Sequence, residues 1–208
     1  MDELIIGTSN AAKKKAIGSV LAPLGITVKG TDDLAVSLHI PEDGATAQEN
    51  ARKKAFAYAR AIGRPVLSID NALYLQGLCD EEQPGVHTRR VPGKAGRATD
   101  EELLAFYSIR VKELGGRVSG HWEYALCMAD PDGQVTEKVF LSPRLFVSEP
   151  TATMLPGYPL ESIQIDPASG RYIAEMTDEE QAAFWQREIG GQIVEFVQEA
   201  WKGDIWNH

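Results

Sequence analysis

Apolar positions in the first third of the chain follow two different spacings. An apolar run at residues 4–6 and a largely apolar segment at residues 65–69, interrupted by Ser68, predict buried strands. Between them, apolar residues three or four positions apart predict one helix from about residue 11 and a second from Thr46 to Gly63. Strands that alternate with helices in this order favour an α/β fold with a partly parallel sheet.

The later part of the chain favours longer strands and a terminal helix. Residues 118–129 and 134–147 flank Asp130-Pro131-Asp132-Gly133, whose residue types are typical of a hairpin turn. A helix is predicted after Thr177, and its predicted inward face comprises Ala183, Arg187, Gly190, Val194, Val197 and Trp201. We therefore expect one α/β domain over residues 1–208, with a mixed sheet, flanking helices and two lobes around a central cleft.

Composition and charge narrow the class of function. The chain has 21 Lys and Arg against 30 Asp and Glu, a net charge of -9. This charge argues against binding to nucleic acid, since such binding depends on cation–phosphate contacts. Without an apolar run long enough for a membrane span, and with an acidic start at Met1-Asp2-Glu3, we expect no membrane association, no signal peptide and a cytoplasmic protein. Cys79 and Cys127 lack metal-binding spacing and are expected to be reduced thiols.

Three carboxylates, those of Glu42, Glu49 and Asp70, are candidates for a metal site. Asp70 is predicted to lie where the strand 65–69 ends, and ligands of open α/β sheets collect outside the carboxyl ends of strands. Converging carboxylate oxygens would suit a hard cation such as Mg²⁺. In the alternative interpretation, Glu49 only completes a capping box with Thr46. Glu42 would then be a solvated loop charge and Asp70 a turn residue.

Basic side chains occur at three places where an anion would stabilise them. Residues 13–15 are lysines in the first turn of a predicted helix, where the helix dipole disfavours each cation by about 0.3–1 kcal/mol. A bound phosphate would remove this conflict, and a solvated lysine run is the alternative. Arg187 lies on the predicted apolar face and needs a carboxylate or a ligand anion. Arg89 and Arg90 could reach a phosphate or lie in an ordinary loop with nearby acids.

Five short motifs, in order and with matching spacing, resemble those of the inosine/xanthosine triphosphate pyrophosphatases, the ITPase-like family. The matching segments are Thr8-Ser9-Asn10-Ala11-Ala12-Lys13, Glu42 with Glu49-Asn50-Ala51-Arg52-Lys53-Lys54-Ala55, Ile69-Asp70-Asn71-Ala72-Leu73, Pro84-Gly85-Val86-His87-Thr88-Arg89-Arg90 and Ala174-Glu175-Met176. The resemblance covers nearly the whole chain and implies an ITPase-like fold.

The resemblance also implies an activity and its residues. It implies a homodimeric house-cleaning enzyme that uses Mg²⁺ to hydrolyse a nucleoside triphosphate, such as ITP, XTP or dITP, to the monophosphate and pyrophosphate. Asp70 would orient or deprotonate the attacking water, and Lys13 would supply neutralising charge. Glu42 and Asp70 would bind the metal ion, and Glu49 would support the metal site. The residues implied to contact the nucleotide are Thr8, Ser9, Asn10, Lys13, Asn71, Arg90, Tyr158 and Arg187.

The chain departs from the family pattern mainly where the resemblance places the base. The first aspartate of the family's D-D pair is Ile69, and the late F-G-[YW]-D-P segment reads Pro156-Gly157-Tyr158-Pro159, without its aspartate. The lysine and the Ser-His of the last helix are replaced by Gln181 and Trp185-Gln186. These changes favour an enzyme with altered base preference. Two alternatives stay open: a nucleotide-binding module without turnover, and a pyrophosphatase for pyrimidine or other nucleotides.

Overall fold

The structure, a computed structural model, describes residues 3–8 and 10–202. Its strands are β1 (Glu3–Ile6), β2 (Thr27–Gly30), β3 (Val66–Leu75), β4 (Arg117–Ala129), β5 (Val135–Val147) and β6 (Gln164–Ile165). Its α-helices are α1 (Ala11–Leu21), α2 (Ala47–Ile62), α3 (Asp100–Glu113), α4 (Asp178–Trp185) and α5 (Gly191–Lys202). Within these described residues, no helix is both long enough and apolar enough to cross a membrane.

The six strands form one mixed sheet in the order β2-β1-β3-β4-β5-β6. β1 is parallel to both β2 and β3, so that Ile6 lies opposite Gly30 on one side and Leu67 on the other. β5 and β6 are antiparallel, with Leu145 opposite Ile165. Five residues join β4 to β5, too few for a parallel crossover, so these neighbours are antiparallel as well. The predicted mixed sheet with flanking helices is confirmed.

The predicted hairpin turn between β4 and β5 is also present, and a buried aspartate stabilises it. Asp130 Oδ1 accepts hydrogen bonds from the N–H groups of Gly133 (2.7 Å) and Gln134 (2.8 Å). Gly133 has a φ of +98°, a conformation that glycine adopts without steric cost. The turn therefore satisfies the buried carboxylate locally, and Asp130 needs no ligand to explain it.

Backbone contacts divide the chain into two compact units. The first contains the described residues up to Asn71, Tyr124–Phe140 and the described residues from Ala182 onward. Its fully buried apolar residues include Leu4, Ile5, Ile6, Leu21, Leu67, Leu126, Met128 and Phe196. The second contains Ala72–Glu123 and Leu141–Gln181, and its core includes Leu73, Leu75, Leu103, Tyr107, Val111, Phe146 and Ile163. A single domain with a central cleft stays a prediction.

The terminal helix is interrupted by a π-helical turn, Gln186–Gly190, between α4 and α5. The buried positions along it include Phe184, Ile189, Ile193, Phe196, Val197 and Ala200. The predicted inward face was therefore wrong for Ala183 and Arg187, which are exposed. Across the π-turn, the next buried residue after Phe184 is Ile189, five positions later, so a predicted spacing of three or four fails there.

Candidate active site

Lys54 joins two of the predicted site carboxylates. Its Nζ lies 2.7 Å from Asp70 Oδ1 and 3.1 Å from Glu42 Oε1. The side chains of Lys54 and Asp70 are only 12% and 11% exposed, whereas Glu42 is 38% exposed. One ammonium group thus neutralises part of the charge of two carboxylates at a largely buried position.

A second lysine reaches the same place from a different helix. Lys13, in α1, directs its Nζ to the carbonyl oxygen of Ile69 (3.3 Å), and Lys54 Nζ lies 3.4 Å from that oxygen. Two ammonium groups therefore meet at the backbone carbonyl immediately before Asp70. We call Lys13, Glu42, Lys54 and Asp70, with the Ile69 carbonyl, the lysine–carboxylate cluster.

β3 positions Asp70 differently from the sequence prediction. The strand does not end at residue 69 but runs from Val66 to Leu75, so Asp70 lies in its middle. The strand continues because Ala72, Leu73 and Leu75 are buried as well. The prediction of a strand end at Asp70 was wrong because the polar Asp70-Asn71 pair resembles a turn but lies within a buried strand.

The side chains of Asp70 and Asn71 are expected to lie on opposite faces of the sheet. Consecutive residues of a strand direct their side chains to opposite faces, so Asn71 does not share the face of Asp70. The Asn71 Oδ1 atom is buried, and no hydrogen-bond partner for it lies among the described residues. A nucleotide contact of Asn71 stays a prediction, and it would lie away from the Asp70 carboxylate.

The loop that carries Glu42 is held by the first turns of α2. Asn50, which is 1% exposed, accepts the Gly44 N–H at 2.8 Å through Oδ1. Thr46 Oγ1 caps the helix by accepting the Glu49 N–H at 3.1 Å. Glu49 Oε2 in turn accepts the Ala45 N–H at 2.7 Å, so only half of the predicted capping box forms.

The three predicted metal ligands have different contacts in the structure. Glu49 Oε2 binds the loop backbone, whereas Glu42 and Asp70 both contact Lys54. Among residues 3–8 and 10–202, no group of three or more His, Cys, Asp or Glu residues is arranged to hold a metal ion. Glu42 and Asp70 are the two candidate ligands that lie at one lysine, and a metal role for Glu49 stays a prediction.

Replacing Gly44 by alanine should destabilise the protein through this loop. A Cβ atom at residue 44 would lie 2.7 Å from Asn50 Oδ1 and 2.9 Å from Glu49 Cβ, so the loop would have to shift. We expect the free energy of unfolding to fall by about 1–3 kcal/mol, measured by urea titration. Gly18→Ala in α1 is the control, because a Cβ there meets nothing within 4 Å and should not destabilise. An unchanged urea midpoint for Gly44→Ala would show that the loop is loosely held.

The first turn of α1 is already capped by its own asparagine. Asn10 Oδ1 accepts the N–H groups of Ala12 (2.9 Å) and Lys13 (3.2 Å), and Thr8 Oγ1 accepts the Asn10 N–H at 3.1 Å. The cap satisfies two of the N–H groups that we expected a phosphate to meet. Ser9, the other predicted contact in this turn, lies outside the described residues. A phosphate would rely here on the Lys13 ammonium more than on the helix terminus.

The three lysines of this helix do not act together. Lys14 Nζ pairs with Asp32 (2.9 Å) and Asp33 (3.0 Å) in the loop after β2. Lys13 instead contacts β3, through the Ile69 carbonyl. The lysine run is therefore divided between an exposed ion pair and the lysine–carboxylate cluster.

Arg187 lies on the exposed side of the π-turn. Its side chain is 48% exposed, its Nε lies 2.9 Å from Glu188 Oε1, and its guanidinium carbon lies 5.2 Å from the centre of the Phe184 ring. The ion pair predicted as an alternative is present, although the adjacent residue supplies it. Phosphate binding by Arg187 stays a prediction.

The second unit contains the other two predicted nucleotide contacts. Tyr158 is half-buried, and its N–H donates to the Leu155 carbonyl at 2.9 Å. Arg90 is exposed, and its N–H donates to the His87 carbonyl at 2.7 Å. Arg89, by contrast, forms an ion pair with Asp100 at 2.8 Å. Roles of Tyr158 and Arg90 in nucleotide binding stay predictions.

Two residues of evident importance were missed by sequence reasoning. Lys54 follows Ala51 by three positions and precedes Tyr58 by four on α2, and this match to the apolar spacing was the available signal for its inward direction. Glu161 lies in a buried 3₁₀ helix, Pro159–Ile163, and is only 3% exposed. Burial raises the pKa of the Glu161 carboxyl to about 8, although the Arg144 guanidinium nearby opposes the shift. No local pattern in the sequence marks that burial.

Comparison with known proteins extends the similarity over nearly the whole chain. The Ham1 family model matches residues 4–192. A Thermus thermophilus protein named dITP/XTP pyrophosphatase is 32% identical over 202 residues, which are 96% of this chain and 92% of that protein. The Ham1 protein structure from Coxiella burnetii has a TM-score of 0.68 and 25% identity, covering 96% of this chain and all of that one.

A more distant structure shows that the fold is shared where sequence identity is low. The Ham1 protein of Staphylococcus aureus is 19% identical, with a TM-score of 0.68 over 95% of this chain and 99% of that chain. Together these similarities confirm the predicted family and its mixed sheet with flanking helices. The chain belongs to the Ham1 family.

Proposed function

We propose that the lysine–carboxylate cluster hydrolyses nucleoside triphosphates to nucleoside monophosphates and pyrophosphate. The observation that carries this proposal is the meeting of Glu42 and Asp70 at Lys54, with Lys13 at the adjacent carbonyl. The names of similar proteins, such as the dITP/XTP pyrophosphatase of Thermus thermophilus, support it. The chain is a nucleoside triphosphate pyrophosphatase, a hydrolase that limits unwanted nucleotides in the pool.

The cluster contains the groups that this reaction needs. The oxygen of a water molecule attacks the α-phosphorus, the bond from that phosphorus to the bridging oxygen breaks, and pyrophosphate leaves. Asp70 orients the water and accepts its proton. Lys13 and Lys54 neutralise charge on the phosphate oxygens, since phosphoryl transfer depends mainly on positioning and electrostatic stabilisation.

The donor set of the cluster also fits a divalent cation. Mg²⁺ is usually held by one or two carboxylates together with substrate phosphates, and Glu42 and Asp70 are two carboxylates around one positive charge. We propose that both would hold the ion, with Mg²⁺ as the specific metal. The ion would supply further neutralisation of phosphate charge. Lys54 stands between the same oxygens, so it would have to move aside.

Removing Lys54 should therefore strengthen metal binding in the absence of nucleotide. In Lys54→Met the two carboxylates lose their cation, and their mutual repulsion favours a divalent ion. We expect about tenfold tighter Mg²⁺ binding than in the wild type, equivalent to about 1.4 kcal/mol. The measurement is the rise in thermal midpoint on adding MgCl₂, because a ligand of the folded state stabilises it.

Lys53→Met is the matched control for this prediction. Lys53 is the neighbouring lysine of α2, and its partner is the exposed Asp43 at 2.6 Å. Its replacement should leave the Mg²⁺-dependent rise of the wild type unchanged. An equal rise in the wild type and both variants would mean that Glu42 and Asp70 do not bind the ion.

The base preference is tested by a panel of nucleotides. We propose dITP and XTP as preferred substrates, and a pyrimidine triphosphate is the second candidate because the chain lacks the family's late aspartate. Pyrophosphate release is measured for ITP, dITP, XTP, dUTP and the common triphosphates, with and without Mg²⁺. Turnover of dITP or XTP above the others supports the proposal. Binding without any turnover would instead identify a nucleotide-binding module.

Two finer properties complete the proposal. We propose that the chain is a cytoplasmic homodimer, as the family resemblance implies. Sedimentation at micromolar concentration measures the assembly directly, and a mass of one chain, 22.8 kDa, would contradict the dimer.

A further inference from the structure

In the second unit of the chain, one ion pair holds both backbone polar groups of a single residue, Gly157. Asp100 Oδ2 accepts the Gly157 N–H at 2.9 Å, and Arg89 Nη2 donates to the Gly157 carbonyl at 3.4 Å. Arg89 Nη2 also lies 2.8 Å from Asp100 Oδ1, which closes a ring of contacts. Gly157 has a φ of +82°, so the anchored position is one that favours glycine.

The two charged residues are themselves fixed by their surroundings. The Arg89 carbonyl accepts the Ala98 N–H at 2.9 Å, and the carbonyl of the preceding Thr88 accepts the hydroxyl of buried Tyr107 at 3.1 Å. Asp100 is the first residue of α3, whose cap at Thr99 forms a complete capping box. Their ion pair is therefore a fixed anchor for Gly157, and its side chains are only 26% and 23% exposed.

The anchored glycine directly precedes Tyr158, the predicted base contact. The Tyr158 N–H donates to Leu155, and its carbonyl accepts the Glu161 N–H at 3.2 Å. The chain then enters the buried 3₁₀ helix Pro159–Ile163. The backbone of Tyr158 is thus fixed by the ion pair before it and by a buried helix after it. Residues 155–159 are called the tyrosine loop below.

Two simpler interpretations explain less of this arrangement. A phosphate ligand would need the Arg89 guanidinium to be available, but Asp100 and the Gly157 carbonyl already engage it. An ordinary surface ion pair contributes about 0–1 kcal/mol and does not need a backbone peptide between its partners. Arg110 provides such an ordinary pair, with Glu82 at 3.3 Å and Glu113 at 3.0 Å.

We propose that Arg89 and Asp100 are positioning residues for base recognition: their ion pair fixes the backbone of Gly157 and thereby the place of Tyr158. The inference rests on the proposed function, in which Tyr158 stacks on the base of the substrate. A displacement of about 1 Å in a substrate-positioning group is enough to weaken binding or catalysis markedly. The ion pair acts through the tyrosine loop without touching the nucleotide.

The test compares Arg89→Ala with the wild type in two independent measurements. Amide hydrogen exchange of Gly157, without nucleotide, should become about tenfold faster in Arg89→Ala, because Asp100, which accepts its N–H, is no longer held by Arg89. With dITP and Mg²⁺, KM should rise about tenfold while kcat stays within about threefold, because ground-state binding of the base is weakened. Arg89→Lys keeps the positive charge but not the planar guanidinium. Its Gly157 exchange rate and its KM should therefore lie between those of the wild type and Arg89→Ala.

Arg110→Ala is the control, because it removes an exposed ion pair of the same unit without touching the tyrosine loop. Unchanged Gly157 exchange in Arg89→Ala, or faster exchange with an unchanged KM, would overturn the proposal. An inactive wild type would contradict the proposed function instead. In that case the affinity for dITP, measured by calorimetry, replaces KM as the second measurement. Equal affinities of the wild type and Arg89→Ala would overturn the positioning role, and so would the absence of dITP binding by either protein.

Discussion

Asp70→Asn is expected to lower pyrophosphate release by about a thousandfold, the size typical of losing a positioned general base. Asparagine preserves the shape of the side chain but cannot accept a proton from water or contribute a negative ligand to a cation. The variant should still fold, because Lys54 keeps Glu42 as a partner at 3.1 Å. The measurement is the initial rate of pyrophosphate release with saturating dITP and Mg²⁺, alongside circular dichroism.

Asp43→Asn is the control for this loss. Asp43 also pairs with a lysine of α2, but it is 68% exposed and lies outside the lysine–carboxylate cluster. Its activity should stay within about twofold of the wild type, since surface substitutions have small effects. If Asp70→Asn retained a tenth or more of the wild-type rate while folded, Asp70 would not be the base.

Glu161→Gln should strongly change the pH dependence of the free energy of unfolding. The pKa of the buried Glu161 carboxyl is about 8, against 4.5 for an ordinary glutamate, because burial disfavours its charged form. Between these two pH values the folded chain keeps a proton that the unfolded chain releases. The free energy of unfolding therefore falls as pH rises from about 4.5 to about 8, by roughly 3–5 kcal/mol from this group.

Glutamine has the same shape and no charge, so the variant should lose this pH-dependent decline. Urea titrations at pH 5, 6.5, 8 and 9 should show Glu161→Gln more stable than the wild type at pH 9 and similar to it at pH 5. Glu113→Gln, an exposed carboxylate of α3, should follow the wild type at every pH. A wild type with no extra decline relative to Glu161→Gln would mean that Arg144 keeps Glu161 charged throughout this range.

Local patterns predicted most of the fold, and they failed at particular residues for physical reasons. The helix between Thr46 and Gly63 is confirmed, because capping and apolar spacing depend only on nearby residues. The end of β3 was misplaced, because the Asp70-Asn71 pair has turn chemistry that tertiary burial overrides. The prediction of Arg187 on the inward face was wrong, because a π-turn changes the spacing of buried positions.

The sequence marked Lys13, Glu42, Glu49 and Asp70 as site residues but not the contacts that they make. In the structure Glu42 and Asp70 contact Lys54, Lys13 contacts the adjacent Ile69 carbonyl, and Glu49 accepts the Ala45 N–H, while the roles of these residues stay predictions. A capping glutamate and a metal ligand have the same residue type at the same helix position, so the sequence alone could not separate them. Lys54 was missed because lysines on an amphipathic helix are usually exposed, so its position among the apolar residues of α2 was not followed.

The π-turn of the terminal helix also has a consequence for how this chain is compared with others. A turn of this kind contains one residue more than an α-helical turn, and each added residue rotates the following helix by about 100°. A relative with an unbroken α-helix here would be one residue shorter between the counterparts of Phe184 and Ile189. An alignment with such a relative should therefore open a single-residue gap within Gln186–Gly190. Without that gap, each residue before the turn would be aligned one position away from its true counterpart in the relative.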